Sequence, residues 1–152
     1  MTTRSIQSCF FLLFLFAAAP ALQAEDYATA IKAEKILVTT TAGNGQKHAY
    51  LKTDKPEVTA MIVEIPSGAE TGWHLHPVPV YAYVLSGVLE VEIAGSKTLT
   101  FKQGDAIVEV RNLEHNGRNR GNETVKLVVF YTGEEGKANT TKMAPPAPKS
   151  EH

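Results

Sequence analysis

Short runs of β-branched and aromatic residues, separated by turn-forming residues, constrain the fold of this chain more than any other feature. Runs of this length, with Gly, Pro, Asn, Asp or Ser between them, are typical of the strands of a β-sandwich or barrel. The sequence shows neither a long helical pattern nor an internal repeat. We therefore predict an all-β fold with strands at 35–41, 47–51, 58–65, 80–85, 88–94, 97–101, 106–110 and 124–132.

Two of these runs indicate how their strands lie in a sheet. In residues 88–93, Val88, Glu90 and Glu92 alternate with apolar residues, which predicts one buried face and one largely solvated face. Residues 126–131 (KLVVFY) are mostly apolar on both faces, which predicts a central strand with neighbours on both sides.

The first 24 residues have the pattern of a secretory signal peptide. A start with one Arg and no acid leads into the apolar run 9–22, and charged sequence resumes after Ala24. The alternative is a retained membrane anchor, but this run has 14 residues, fewer than the roughly 20 that a spanning helix needs. We predict cleavage after Ala24, a periplasmic or secreted mature protein, and no stable membrane anchor after cleavage.

Cleavage removes Cys9, the single cysteine of the chain. The mature protein then has no disulfide and no thiolate, so any metal ion must be bound by His, Asp, Glu or Tyr. The net charge of −1 gives no electrostatic reason to expect a nucleic-acid partner. The predicted organisation is a signal peptide (1–24), one β-barrel domain (25–132) and a flexible, Pro-rich C-terminal tail (133–152).

A pair of histidines one residue apart suggests a metal site. On a strand, His74 and His76 share one face while Leu75 points to the other, so two imidazoles converge without distortion of the backbone. An isolated H-x-H pattern is more often a pair of surface or hydrogen-bonded histidines. A third histidine, His115, follows a predicted strand and is expected in a loop near the mouth of the barrel.

The spacing of these histidines resembles the two motifs of the cupin family. Gly68, His74, His76 and Gly87 match the first motif, G-x5-H-x-H followed by an acid and a glycine. In the second motif, G-x5-P-x-G-x2-H-x3-N, the matching residues are Gly104, His115 and Asn119, whereas Val110 and Asn112 replace the usual Pro and Gly. The resemblance covers roughly residues 58–132 and implies a jelly-roll β-barrel.

What the resemblance implies for the site is one divalent transition metal ion held by His74, His76 and His115. The glutamate of the first motif is missing, because the two ways of counting its position give Val80 and Tyr81. A site of three imidazoles favours Fe(II), with Ni, Cu, Zn or Mn as alternatives, over the oxygen-preferring Mg and Ca.

Four further residues are candidates for the pocket or for contacts to the ligands. Tyr81 and Tyr83 share a strand face that is either in the core or directed into the barrel. His48 lies on a separate predicted strand and is either a pocket residue or a surface residue. Asn119 is close to His115 in sequence and either orients its imidazole or forms a turn.

Three functions remain open from the sequence. Three-histidine cupins include thiol dioxygenases and diketone-cleaving oxygenases, so the resemblance implies an oxygenase-type enzyme that acts on a small organic molecule. Loss of the acidic ligand equally suits a non-catalytic cupin that binds or senses a small ligand or a metal. The third reading is a structural or partner-binding barrel without metal. Cupin barrels often pair their sheet edges, which is consistent with a homodimer.

Overall fold

The computed structural model describes residues 30–147, and the regular structure in this range is entirely β. None of the described residues belongs to a helix long and apolar enough to cross a bilayer. All strands lie in the compact unit that begins at Lys35. They are β1 (Pro56–Ile65), β2 (His74–Leu75), β3 (Val80–Ser86), β4 (Val88–Ile93), β5 (Leu99–Lys102), β6 (Ala106–Val108), β7 (His115–Arg118), β8 (Val125–Glu134) and β9 (Thr141–Lys142).

The strands form two sheets with antiparallel pairing, which is consistent with the predicted jelly roll. One sheet has the order β1-β8-β3-β6 and the other β5-β4-β7-β2-β9. The interior is lined by alternate residues of both sheets, because successive side chains of a strand point to opposite faces. On β3 the buried face comprises Val80, Ala82 and Val84, and it packs in one cluster with Leu127 of β8 and Leu89 of β4. The all-β prediction is confirmed.

The two strand patterns read from the sequence are also confirmed. On β4, Leu89 and Ile93 are buried whereas Val88 is exposed. Strand β8 lies between β1 and β3, with ten residues of β1 in register along its length. Its inward residues Val125, Leu127 and Val129 are buried, whereas Phe130 on the other face is exposed.

The first two predicted strands are wrong. Residues 35–41 and 47–51 contain only one isolated bridge, between Thr41 and Lys47. The apolar side chains of Ile36, Leu37 and Val38 are exposed. High β-propensity does not form a strand without a neighbouring strand to pair with, and no described segment pairs with residues 35–40.

The predicted end of the domain at residue 132 is too early. Strand β8 continues to Glu134, and β9 pairs with β2 through the register His74 to Lys142. The backbone N–H of Met143 donates to the carbonyl of Trp73 at 2.9 Å. Ladder pairing uses backbone groups, so this polar segment joins a sheet without an apolar pattern. The predicted signal peptide (1–24) and residues 148–152 lie outside the described residues.

Candidate metal centre

Three histidines lie together because β2 pairs with β7. In the antiparallel register, the Cα of His74 lies opposite that of His115. His76 comes directly after β2, two residues beyond His74, and reaches the same site, as the alternation of an extended chain predicts. His115 is the first residue of β7. It therefore lies on a strand and not in the loop expected from the sequence.

The three imidazoles converge on a common point. Each offers one ring nitrogen, and these nitrogens all lie within 4.8 Å of one another. The ring centroids are 4.4 Å apart for His74 and His115, 4.8 Å for His74 and His76, and 5.0 Å for His76 and His115. His76 and His115 retain only 3% and 2% of their exposure. The structure thus brings together the residues that the histidine motifs singled out.

Backbone carbonyls fix the orientation and tautomer of each ring. Nδ1 of His74 lies 2.8 Å from the carbonyl of Gly72, and Nδ1 of His115 lies 2.9 Å from that of Leu113. Nδ1 of His76 lies 2.9 Å from the carbonyl of Asn139. A carbonyl only accepts hydrogen bonds, so each Nδ1 carries the proton and donates. In the neutral rings each Nε2 therefore keeps its lone pair, as a metal ligand requires.

A carboxylate that the sequence motifs did not indicate lies beside two of the three histidines. Oε2 of Glu109 lies 3.2 Å from Nε2 of His76 and 3.3 Å from Nε2 of His115. Glu109 follows β6 directly, and its N–H donates to the carbonyl of Val80 at 3.0 Å. Val80 is one of the two positions at which the family motif has its acid. The first-motif glutamate is missing, but a carboxylate from the adjacent strand lies beside the same histidines.

The position of Glu109 was detectable from alternation. In the run AIVEV (106–110), Glu109 is two residues after Ile107, which is buried. Residues two apart on an extended chain share a face, so Glu109 is an acid on an otherwise apolar, inward face. Glu109 lies outside residues 80–85, where the family motif has its acid, so the motif alone does not indicate it.

The close approach of the Glu109 carboxylate to two imidazole nitrogens requires a cation. Two imidazole lone pairs and a carboxylate oxygen at 3.2–3.3 Å repel one another unless a positive charge lies among them. A proton or a divalent metal ion satisfies this requirement. Three imidazole nitrogens and one carboxylate oxygen suit Fe, Ni, Cu, Zn or Mn better than the all-oxygen sites of Ca and Mg. The residues present therefore fit a transition-metal ion.

Without a metal ion, a proton takes the place of the cation. Burial raises the pKa of Glu109, but hydrogen bonds and attraction from His115 and His76 outweigh burial and lower it to about 2. Burial lowers the pKa of His115, but its hydrogen bond to Glu109 prevails and the net shift is upward. For His74, burial dominates and lowers the pKa, which favours the neutral, ligating form.

The C-terminal segment closes one side of the site. Besides the carbonyl of Asn139, the Thr140 hydroxyl lies 3.1 Å from Nδ1 of His76. The ring of Tyr131 packs edge-on against His76, with centroids 5.5 Å apart. Burial, followed by the charge of Glu109, raises the pKa of Tyr131, so its hydroxyl remains protonated at neutral pH. Part of the predicted flexible tail therefore orients a candidate ligand.

A cavity inside the barrel ends at the histidines. Its volume is about 80 Å³, and its polar lining consists of the three histidines, Glu109, Thr71 and Tyr131. The remaining wall is apolar or glycine, and comprises Gly43, Val63, Ile65, Leu89, Val91, Ile93, Leu99, Phe101, Ile107, Val108, Val110, Gly117, Leu127 and Val129.

Tyr81, Tyr83 and His48 lie away from this cavity. The inward face of β3 is formed by Val80, Ala82 and Val84, so the two tyrosines lie on the opposite, half-buried face. Of the two positions left open from the sequence, the one directed into the barrel does not match the structure. The Tyr81 hydroxyl is 2.9 Å from Nε2 of His48. His48 lines a separate polar cavity, which it shares with Glu109 and Arg111.

Asn119 has a structural role, and none of its hydrogen bonds is to His115. Its side-chain amide donates to the carbonyls of Ile65 at 2.8 Å and Glu123 at 2.7 Å. Its oxygen accepts from the N–H of Gly121 at 3.0 Å. Asn119 is buried, and these bonds satisfy a loop that would otherwise leave backbone carbonyls unpaired. Of the alternatives open from the sequence, the structure selects the turn.

Comparison with known proteins gives a family and a fold. The family profile described as Cupin domain matches residues 61–131. An oxalate decarboxylase–formate complex from Lactobacillus farciminis is 23% identical, with a TM-score of 0.50, and the match covers 57% of this chain and 26% of that one. The DMSP lyase DddQ from Ruegeria pomeroyi DSS-3 is 22% identical, with a TM-score of 0.52, covering 70% and 50%.

The chain thus spans between about a quarter and a half of the length of these two structures. At this level of identity the likeness concerns the fold. No curated protein shows a significant match to the chain. The cupin-domain match, the two antiparallel sheets and the cluster of motif histidines agree with one another. The chain belongs to the cupin superfamily and lacks the usual glutamate of the first motif.

Proposed function

We propose that this protein is an exported, mononuclear metal-binding cupin that acts as an oxygenase-type enzyme on a small organic molecule. Its ligands are Nε2 of His74, His76 and His115, together with the carboxylate of Glu109. The observation that carries the proposal is the set of Nδ1–H bonds to backbone carbonyls. These bonds turn three lone pairs inward, beside a carboxylate that needs a cation.

Glu109 changes the charge expected for the site. Three neutral imidazoles alone would leave a divalent ion with its full +2 charge, and one carboxylate halves it. Sites that combine histidines with a carboxylate and keep open positions are typical of non-haem Fe(II) oxygenases, so we favour Fe(II), with Ni, Cu, Zn or Mn as alternatives. The bound ion would supply Lewis acidity and, as iron, the ability to react with O2.

The chain itself supplies orientation, exclusion of water and one proton donor. The buried histidines and the apolar wall keep bulk water from the inner end of the cavity. The Tyr131 hydroxyl, protonated at neutral pH, lines the cavity and is available to donate a hydrogen bond to a bound molecule.

The experiment that tests the enzyme proposal measures oxygen consumption by protein loaded with Fe(II). The panel comprises thiols, diketones and phenolic acids, and the matched control is the His74→Ala, His115→Ala double variant. We expect consumption of O2 with one class of substrate by the wild type only. Stoichiometric metal binding without turnover of any compound would reject the oxygenase.

That outcome would favour the second candidate, a non-catalytic cupin that binds a small ligand or a metal. The observation that supports this candidate is the small number of titratable groups in the cavity lining. Among the described lining residues, Glu109 and Tyr131 are the only titratable groups besides the three histidines. If Glu109 is a metal ligand, Tyr131 alone remains free to move a proton. Failure to bind any metal would instead favour the structural barrel.

We also propose export and a homodimer. Export rests on the sequence of residues 1–24 and predicts a mature chain that begins at Glu25, which intact-mass analysis of the periplasmic or secreted fraction tests.

The dimer rests on β1, a ten-residue edge strand with exposed Val58, Met61 and Ile62. Sedimentation equilibrium tests it, and Ile62→Lys is expected to yield monomers.

A further inference from the structure

The wall of the barrel cavity specifies the kind of molecule that reaches the histidines. We propose that the ligand is a small molecule with one metal-binding oxygen or sulfur group and a short, uncharged apolar tail. This inference rests on the proposed function, because it takes the inner end of the cavity to be the metal site. The tail would lie against aliphatic and aromatic side chains from both sheets, among them Val63, Leu99, Phe101 and Val129.

Charge excludes a second anionic group on this molecule. No Lys or Arg is among the described residues that line the cavity. Arg111 directs its Nε to the carbonyl of Pro77 at 2.8 Å, and Arg118 forms ion pairs with Glu70 and Glu92. A second carboxylate would therefore be buried against apolar walls without a counter-charge, which costs several kcal/mol. It would also lie near the negative charge of Glu109.

Volume limits the length of the tail. The cavity of about 80 Å³ is roughly half of the 150 Å³ of an engineered apolar cavity that holds benzene. By this comparison the site accepts an apolar group of about three or four carbon atoms. It is also far smaller than the 300–1,000 Å³ typical of sites for drug-sized molecules. Large aromatic or lipid-like molecules are therefore not expected inside the barrel.

A matched pair of ligands tests the inference on Co(II)-loaded protein. Isovalerate and malonate have almost the same shape, but malonate has a second carboxylate where isovalerate has an isopropyl group. The visible absorption of bound Co(II) reports a new ligand without any turnover. We expect isovalerate to bind at least about tenfold more tightly than malonate. Equal binding, or tighter binding of malonate, would overturn the inference.

A second comparison tests the wall directly. Leu99 lies on β5 and lines the cavity, so Leu99→Ala enlarges the space for the tail. We expect the affinity for hexanoate relative to isovalerate to rise by about fourfold for each additional CH2 that becomes buried. Val88→Ala, on the exposed face of β4, is the control and should leave the ratio unchanged. An unchanged ratio in Leu99→Ala would contradict the placement of the tail.

Phe101→Leu provides the same test if Leu99→Ala does not fold, because Phe101 lines the same wall. The metal site and the class of ligand are tested by different outcomes. Absence of Co(II) binding by the wild type would reject the proposed metal site. Retention of Co(II) with a preference for malonate would leave the metal site in place and reject only the proposed class of ligand.

Discussion

At the scale of single residues, the orientation of the histidine ligands depends on hydrogen bonds from the ring nitrogens that face away from the metal site. Three imidazoles donate Nδ1–H to the carbonyls of Gly72, Asn139 and Leu113, and this leaves each Nε2 as an acceptor. Glu109 then adds a negative charge beside two of these acceptors. The sequence motifs identified the three histidines, but they did not reveal the carbonyl partners or the acid from a neighbouring strand.

Replacement of Glu109 tests its role as a ligand. Glu109→Gln keeps the shape of the side chain and removes its charge, so we expect the affinity for Zn(II) or Co(II) to fall by about 100-fold or more. Changes in outer partners of metal ligands already cost about 10- to 100-fold. Competition with a chromophoric chelator measures the affinity. Glu64→Gln, on the exposed part of β1, is the matched control, and equal affinity of the two variants would refute this role.

In the metal-free protein, the interaction of Glu109 with His115 should appear in the pH dependence of the stability. The pKa of Glu109 falls from 4.5 to about 2 on folding, so its contribution to stability is present above about pH 4.5 and is lost towards pH 2. The pKa of His115 is raised from 6.5, so its contribution is present below pH 6.5 and is lost as the pH rises through the folded value. Thermal unfolding from pH 2 to 9 measures both effects.

We expect the pair to stabilise the metal-free protein most between about pH 4.5 and 6.5. In Glu109→Gln, the Tm within this pH window should exceed the Tm at lower and higher pH by less than it does in the wild type. A variant whose Tm follows the same curve as the wild type would show that the two groups do not interact.

At the scale of elements, the short strand β2 is held from both sides. It pairs with β7 through His74 and His115, and with β9 through Lys142 and Thr141. Strand β9 follows the segment that provides the carbonyl acceptor of His76. Neither the apolar pattern nor the family motifs predict β9, because its two residues are polar and pair only through the backbone. A composition-based reading therefore assigned the segment to a flexible tail.

Two truncations distinguish the role of this segment from that of the residues after it. Removal of residues 136–152 deletes β9 and the acceptor of His76, so we expect metal affinity to fall by about 10- to 100-fold, as for other outer partners of a ligand. Removal of residues 144–152 leaves both in place and should have no effect. Isothermal titration with Zn(II) compares the two proteins. Similar affinities would show that β9 does not support the site.

A single substitution tests the same element without truncation. A Cβ on Gly133 would collide with Oδ1 of Asn139. Gly133→Ala is therefore expected to push the Asn139 side chain away from its hydrogen bond to Thr59. If this shift reaches the backbone carbonyl that accepts from His76, metal binding weakens although no ligand is changed. Gly136→Ala is unsuitable as a control because Gly136 has φ of 70°. Thr100→Ala on β5 serves instead, and a Gly133→Ala protein that binds metal as tightly as this control would contradict the argument.

At the scale of the whole molecule, short apolar runs separated by turn residues predicted the all-β class and most strands of the barrel. Alternation added the buried face where one side of a strand packs into the core, as on β4, because burial imposes a period of two. The run at residues 35–41 forms no strand, because its β-propensity finds no described partner strand. Pairing is a non-local property, so a local pattern predicts a strand without specifying its neighbour.

Metal binding should stabilise the fold as a whole, because its ligands come from segments far apart in sequence. At a free metal concentration 100 times the Kd, binding to the folded state adds about 2.7 kcal/mol. For a domain of this size, that corresponds to an increase in Tm on the order of 10 °C. Differential scanning fluorimetry with and without Co(II) measures it. A Tm unaffected by any divalent transition metal would argue against a site in the folded protein.

The metal-to-protein ratio tests the central claim most directly. Native mass spectrometry of the protein, purified without added chelator and then offered Fe(II), Co(II) or Zn(II), gives this ratio for each chain. The account predicts one divalent ion per wild-type chain, and none in the His76→Ala, His115→Ala double variant. A wild type that binds none of these ions, or a double variant that still binds one, would contradict it.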